Sequence, residues 1–117
     1  MARRGAYAPY SRYAVGAAVF AGSGQIFIGA NIENASYGLS ICAERVAVFS
    51  AVASGERTIR AIAVQGSGKT PAVPCGACRQ VLSEFGLPEM LVVVGKGQAA
   101  KTFKLGELLK HPFRIPV

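Results

Sequence analysis

Two runs of small and β-branched apolar residues lie at 13–20 and 25–30, with a glycine-containing turn between them. This pattern predicts a β-hairpin. Polar, turn-forming residues dominate 31–40 and predict a loop. The apolar residues at 43–53 are then nearly continuous until Gly55, which predicts a buried helix that ends at this glycine.

The second half repeats the alternation of strand and helix. It predicts a strand at 59–65, a helix at 75–85, a short buried strand at 90–94, an edge strand at 101–103 and a short helix at 105–110. A hairpin followed by helix, strand, helix and strand indicates an α/β fold. We expect a three-layer sandwich with a mixed β-sheet, formed by a single domain over residues 1–117.

Composition adds an expectation about assembly and partners. Charged residues make up 16% and apolar residues 51% of the chain, against about 25% charged in typical domains. A small domain with so little charge is expected to bury surface in a homo-oligomer. The net charge of +7 is spread from Arg3 to Arg114 without a basic helix or stripe, so a solvated basic surface is favoured over a nucleic-acid site.

The sequence shows neither a signal peptide at its beginning nor an apolar stretch of about 20 residues, the length of a membrane span. Its cysteine count is three, and an odd count without a secretion signal is typical of a reducing compartment. We therefore expect a cytoplasmic protein without membrane partners.

All three cysteines lie in two short segments, one containing Cys42 and the other containing Cys75 and Cys78. A Cys-x-x-Cys pair and one distant thiolate supply three soft ligands, which suit one zinc ion per chain with a fourth position open for water. Both segments open a predicted helix. Because sites in α/β sheets form where strands lead into helices, the two segments are expected to meet.

A structural zinc site and a redox pair are the two other uses of such cysteines. A structural zinc site normally has four protein ligands, but the only histidine, His111, lies outside any motif. A redox pair would leave Cys42 unexplained. Three thiolates on one zinc ion carry a formal charge of −1, which helix N-termini and Arg45 or Arg79 can offset.

Elimination points to one carboxylate for proton transfer. The chain has no Asp, and its acids are Glu33, Glu44, Glu56, Glu84, Glu89 and Glu107. Only Glu33 and Glu44 belong to the candidate site, and only Glu44 is tied to a ligand by chain geometry, two residues after Cys42.

The order Cys-x-Glu followed by Pro-Cys-x-x-Cys is typical of zinc deaminases. From about residue 7 to 113, the chain resembles the small, homotetrameric type of cytidine deaminase. The resemblance is carried by four segments, Ala-Pro-Tyr-Ser-Arg-Tyr-Ala-Val-Gly-Ala-Ala at 8–18, Gly-Ala-Asn-Ile-Glu-Asn-Ala-Ser-Tyr-Gly at 29–38, Cys-Ala-Glu-Arg at 42–45 and Pro-Cys-Gly-Ala-Cys-Arg-Gln at 74–80. Members usually carry a helix before the first segment, and here only a few residues precede it.

The resemblance implies hydrolytic deamination of cytidine and deoxycytidine, as in pyrimidine salvage. Water attacks C4 of the pyrimidine ring, and Glu44 carries a proton to N3 and then to the departing ammonia. The backbone amide of Ala43 would hold the ring O2. The carbonyl of Val73, where the family usually has Ser, would accept from the amino group.

Further site residues are also carried over from the resemblance. Asn31 and Glu33 match positions that bind the ribose 3′-hydroxyl, and Tyr13 matches an aromatic that packs on the base. Residues expected beside the zinc ligands are Arg45, Arg79 and Gln80. Those expected to reach a neighbouring subunit's site in a tetramer are Ala35, Tyr37 and Phe113.

Three alternatives stay open at this point. One is a relative that acts on another pyrimidine-like compound, such as a cytosine-containing nucleoside antibiotic, and the pair Asn31 and Glu33 argues against it. Another is a nucleic-acid cytidine deaminase, for which a grip on the 3′-hydroxyl would exclude a continuing strand. The third is a zinc-stabilised interaction domain without hydrolytic activity.

Overall fold

The computed structural model describes residues 2–116, which form a five-stranded sheet and three helices. The elements in chain order are β1 (Val15–Ala21), β2 (Ile26–Ala30), α1 (Ala43–Ala53), β3 (Ile59–Gly66), α2 (Gly76–Phe85), β4 (Leu91–Val94), β5 (Lys101–Lys104) and α3 (Leu105–Leu108). Single 3₁₀ turns lie at Ala2–Gly5, Tyr37–Leu39 and Gly97–Ala99.

The sheet is mixed, with strand order β2-β1-β3-β4-β5. β1 pairs antiparallel with both β2 and β3, β4 pairs antiparallel with β5, and β3 and β4 are parallel. Parallel neighbours need a crossover connection, and α2 provides it. As a result, the loop that leaves β3 leads directly into the second cysteine segment.

The core lies between the helices and one face of the sheet. Alternate residues of the strands point into it, among them Val19, Ile62 and Val92, and they join buried residues of α1 and α2 in one apolar cluster. α1 packs closely on β2, since a Cβ added to Gly29 would lie 2.4 Å from the backbone nitrogen of Ala47. This glycine therefore allows α1 to lie directly on the strand.

The predicted α/β fold with a mixed sheet is confirmed. The 3₁₀ turn Ala2–Gly5 packs on β1, since a Cβ added to Gly16 would lie 2.6 Å from the backbone nitrogen of Arg3. Among the described residues, no helix has the length and apolar character needed to cross a membrane.

Element boundaries differ from the predictions by one or two residues. β1 begins at Val15 rather than residue 13, because the N–H groups of Tyr13 and Ala14 donate to serine side chains instead of a neighbouring strand. α3 ends at Leu108 rather than residue 110. The backbone of the next residue, Leu109, is already extended, with φ −142° and ψ 93°.

Candidate active site

Three cysteine sulfurs meet at the beginnings of α1 and α2. The Sγ atoms of Cys42, Cys75 and Cys78 all lie within 4.8 Å of one another, and those of Cys42 and Cys75 are 3.8 Å apart. Zinc–sulfur bonds of about 2.3 Å in a tetrahedron place two sulfurs about 3.8 Å apart. The donor set and its spacing therefore fit a zinc ion held by three thiolates.

Helix geometry explains why the sulfurs converge. Cys42 is the N-cap of α1 and Cys75 is the N-cap of α2, while Cys78 lies in the first turn of α2. Both helices thus direct the positive ends of their dipoles towards the cluster, as the sequence predicted.

Positive charge also reaches the cluster from Arg45, whose Nη2 donates to Cys42 Sγ at 3.5 Å. The hydrogen bond from Cys78, with smaller contributions from Arg45 and Cys75, lowers the pKa of Cys42 to about 5. The same shared proton, together with burial, raises the pKa of Cys78. Among the described residues, Arg45 Nε is the one buried side-chain nitrogen or oxygen without a hydrogen-bond partner.

Glu44 is the buried carboxyl group of the site, with only 5% of its surface exposed. It lies in the first turn of α1, two residues from Cys42. Burial raises the pKa of Glu44, and the nearby negative charge of Cys42 raises it further. Few acids are buried without a function or a partner, and this one is placed beside the proposed zinc ligands.

A cavity of about 300 Å³ opens beside the cluster. Its walls come from the segment before β1, the loop after β2, the beginning of α1 and the loop before α2. The lining residues are Ser11, Tyr13, Val15, Asn31, Glu33, Cys42, Ala43, Glu44, Ala72, Val73 and Cys75. The residues predicted to bind the base, the sugar and the metal are therefore brought together around one space.

Asn31 is hydrogen-bonded to the backbone through both ends of its amide. Its Oδ1 accepts from the N–H of Val15 at 2.9 Å, and its Nδ2 donates to the carbonyl of Tyr13 at 2.8 Å. A primary amide can accept two hydrogen bonds and donate two. One donor and one acceptor site of Asn31 thus remain after these two bonds.

Glu33 fixes the segment before β1. Its carboxylate accepts hydrogen bonds from the N–H groups of Tyr10 and Ser11 and from the Ser11 hydroxyl. The hydroxyl bond is the main cause that lowers the pKa of Glu33, and the two N–H bonds add to it. Glu33 is therefore an ionised, pre-oriented acceptor at the edge of the cavity.

Two residues predicted to lie beside the zinc ligands bind other partners. Arg79 donates to the carbonyls of Pro74 and Leu108, both at 2.8 Å. The Gln80 side chain donates to the Phe113 carbonyl at 3.1 Å and accepts from the Phe113 N–H at 2.9 Å. In residues 2–116, Arg45 is the arginine that donates to a cysteine sulfur, while Arg79 and Gln80 hold the backbone around the second cysteine segment and the C-terminal segment.

The residues expected to serve a neighbouring subunit lie on the surface, outside the cavity. Ala35 is exposed, and Tyr37 and Phe113 expose 73% and 68% of their surfaces. Their positions leave them available to a second chain.

Sequence reasoning gave no role to three residues that line the cavity, Ser11, Val15 and Ala72. Ser11 lies in one of the segments that carry the family resemblance, so the sequence did offer a signal for its place in the site. Ala72 had none, because its position depends on how the loop before α2 folds back over the cavity.

Comparison with known proteins identifies the family. Residues 1–94 match the family described as the cytidine and deoxycytidylate deaminase zinc-binding region. The chain belongs to this family. It is 50% identical over 113 residues to the cytidine deaminase of Halalkalibacterium halodurans, which covers 96% of this chain and 86% of the relative. It is 43% identical over 115 residues to the cytidine deaminase of Mycobacterium tuberculosis, covering 97% and 83%.

Solved structures of this deaminase family share the fold. The crystal structure of cytidine deaminase from Burkholderia pseudomallei superimposes with a TM-score of 0.89 at 50% identity, covering 96% of this chain and 91% of that one. The enzyme from Mycobacterium tuberculosis gives a TM-score of 0.85 at 40% identity, with coverage of 97% and 89%. The match in sequence and fold extends over nearly the whole chain, including both cysteine segments.

Proposed function

We propose that this protein is a zinc-dependent hydrolase that deaminates cytidine and deoxycytidine to uridine and deoxyuridine. The observation that carries the proposal is a buried carboxyl group, Glu44, placed beside three converging cysteine sulfurs in the wall of a cavity. Relatives named cytidine deaminase, 50% identical over nearly the whole chain, support the substrate.

Cys42, Cys75 and Cys78 would hold one zinc ion, with the cationic Arg45 side chain stabilising the negative charge of the thiolates. When bound, zinc supplies the Lewis acid that makes a water molecule nucleophilic near neutral pH. The open face of the cluster is directed towards the cavity, because Cys42 and Cys75 line it while Cys78 is buried.

Glu44 is proposed to move protons during the reaction. It would take a proton from the attacking water and deliver it to ring N3. It would then take the second proton from the new C4 hydroxyl and deliver it to the exocyclic amino group, which leaves as ammonia when the C4–N bond breaks. Glu33, the other acid that lines the cavity, is occupied by Ser11 and the adjacent backbone. Glu44 is therefore the carboxyl group free to serve the reacting atoms.

Backbone groups at the cavity are suited to orient the pyrimidine ring. As the first residue of α1, Ala43 has an N–H without an intrahelical partner, and we assign it to the ring O2. The Val73 carbonyl is assigned to the exocyclic amino group. These contacts use main-chain atoms, so Val73 can serve although the family usually has Ser at this position.

The sugar is proposed to bind between Asn31 and Glu33. The remaining donor and acceptor sites of Asn31 and the ionised carboxylate of Glu33 can contact the 3′-hydroxyl while keeping the bonds described above. Tyr13, on the same wall, is proposed to pack on the base. A continuing nucleic-acid strand would not fit a site that encloses a free 3′-hydroxyl.

A homotetramer of this single domain, 1–117, with shared active sites is part of the proposal. It is supported by apolar side chains that are exposed in the single chain, including Tyr37, Leu39, Phe49 and Phe113. Tyr37, Phe113 and Ala35 are proposed to reach a neighbour's site. The three free cysteines support a reducing cytoplasm and, with the substrate, a role in pyrimidine salvage.

The test combines an ultraviolet assay of cytidine conversion with zinc content per chain. Glu44→Gln keeps the size of the side chain and removes the proton carrier, so turnover should fall by at least about 10²-fold at unchanged zinc content. The matched control is Glu84→Gln, an exposed substitution in α2, which should keep wild-type turnover. A zinc-loaded wild type that leaves cytidine intact would favour the interaction-domain alternative. Full activity of Glu44→Gln would assign proton transfer to another group.

A further inference from the structure

The segment Gly66-Ser67-Gly68, at the end of β3, has no role in the proposed chemistry, yet it contacts a residue of the cavity wall. The last pair of the β1–β3 ladder is Val15 and Gly66. Beyond it, the N–H of Ser67 donates to the Ala14 carbonyl at 2.8 Å, and the Ala14 N–H donates to Ser67 Oγ at 3.1 Å. Ser67 therefore extends the pairing by one residue, to the position next to Tyr13.

Both glycines leave room for the Tyr13 ring. A Cβ added to Gly66 would lie 2.1 Å from Tyr13 Oη and 2.6 Å from Cζ, and one added to Gly68 would lie 3.1 Å from Cε1. Neither glycine has a positive φ angle; among the described residues, the glycines that do are Gly24, Gly55, Gly95 and Gly97. Glycine is thus needed at 66 and 68 for space around the ring rather than for backbone conformation.

The main chain of Tyr13 is held independently. Its N–H donates to Ser11 Oγ at 3.0 Å, and its carbonyl accepts from Asn31 Nδ2 at 2.8 Å. With the main chain fixed on one side and the ring set against Gly66 and Gly68 on the other, few ring orientations remain.

The same loop forms another part of the cavity wall. After Gly68 it continues to Ala72 and Val73, which line the cavity together with Tyr13. The contact between Tyr13 and the two glycines therefore links two segments of the cavity wall.

We infer that Gly66, Ser67 and Gly68 are positioning residues that hold the Tyr13 ring in place as the wall against which a pyrimidine base packs. They act through Tyr13 and do not touch the substrate. Since a tilted ring loses its contact with the base and narrows the cavity, these residues control nucleoside affinity more than the chemical step.

The central test is the Gly66→Ala substitution, with and without Tyr13→Phe. Gly66→Ala should raise KM for cytidine by about tenfold, because the ring must leave its position, while kcat changes less. Adding Tyr13→Phe removes Oη, the atom nearest to the new methyl group. The second substitution should lower the raised KM by at least about threefold. Such coupling is expected only between groups in contact.

Two milder variants and one control complete the set. Gly68→Ala and Ser67→Ala should each raise KM by about threefold, and they carry the test if Gly66→Ala does not fold. Ser23→Ala is the matched control, because Ser23 Oγ accepts from Gln25 in the β1–β2 turn, outside the cavity. Calorimetric Kd values for the product uridine should rise with KM, at unchanged zinc content.

This role presupposes the deaminase activity proposed above, so the zinc-loaded wild type is assayed first. A wild type without turnover contradicts the proposed function. An active wild type whose folded Gly66, Ser67 and Gly68 variants keep wild-type KM and uridine Kd contradicts the positioning role. A KM increase in Gly66→Ala that Tyr13→Phe leaves unrelieved also contradicts it, since a general packing defect would behave in that way.

Discussion

Replacing Asn31 by Ala should destabilise the protein as well as weaken substrate binding. The side chain joins the segment before β1 to the first residue of that strand, through hydrogen bonds with the Tyr13 carbonyl and the Val15 N–H. A net hydrogen bond contributes about 1 kcal/mol, and a buried group left without a partner costs about 1–3 kcal/mol. Val15 is buried, with 8% of its surface exposed, so its N–H is the costly loss.

From these contributions we expect the free energy of unfolding to fall by about 2–4 kcal/mol. Urea unfolding at saturating zinc measures the change, provided that the m-value stays constant. Asn34→Ala is the matched control, because the Asn34 side chain accepts a single exposed hydrogen bond, from the Ser36 N–H. Its effect should remain within about 0.5 kcal/mol.

The outcome separates two interpretations of Asn31. If the residue only bound the sugar, Asn31→Ala would raise KM without a change in stability. A loss of less than about 1 kcal/mol would therefore refute the argument that the backbone contacts are structurally important. Retention of wild-type KM, together with the stability loss, would instead remove Asn31 from the sugar site.

Further predictions concern pH, packing and metal. The Ser11 hydrogen bond lowers the pKa of Glu33 below 4.5. The ionised Glu33 carboxylate therefore stabilises the folded state above pH 4.5, and this stabilisation is lost as the pH falls through the folded-state pKa. In acid denaturation below pH 4.5, the wild type should therefore lose stability relative to Glu33→Gln. Gly29→Ala should destabilise the protein by about 1–3 kcal/mol in urea unfolding, because the new methyl group meets the backbone of α1; Gly38→Ala, with open space around it, should change stability by less than about 0.5 kcal/mol. Cys42→Ala should lose zinc, measured as metal per chain, and melt at a lower temperature; full zinc occupancy in that variant would contradict the three-ligand assignment.

The metal centre could be predicted from sequence because its geometry is local. Cys75 and Cys78 are separated by less than one helical turn, and Cys42 and Glu44 by two residues, so chain connectivity alone places each pair. The convergence of the two segments followed from the fold, since each precedes a helix of an α/β sheet.

The partners of polar side chains could not be predicted in the same way. Gln80 and Phe113 are far apart in sequence, and their pairing depends on where the segment after α3 lies. Likewise, the backbone bonds of Asn31 depend on how β1 and β2 align. Such contacts arise from tertiary register, for which hydrophobic periodicity carries no information.

The pairing of Gln80 with Phe113 also limits which side chains can replace Gln80. The side chain donates to the Phe113 carbonyl and accepts from its N–H, so the position requires both functions in one planar group. A carboxylate has no donor, and an ammonium or guanidinium group has no acceptor. Selection on this residue, two positions after Cys78, is therefore expected to preserve the course of the C-terminal segment rather than the affinity for zinc. Assigning every polar neighbour of a ligand to the metal centre alone would overlook this contact.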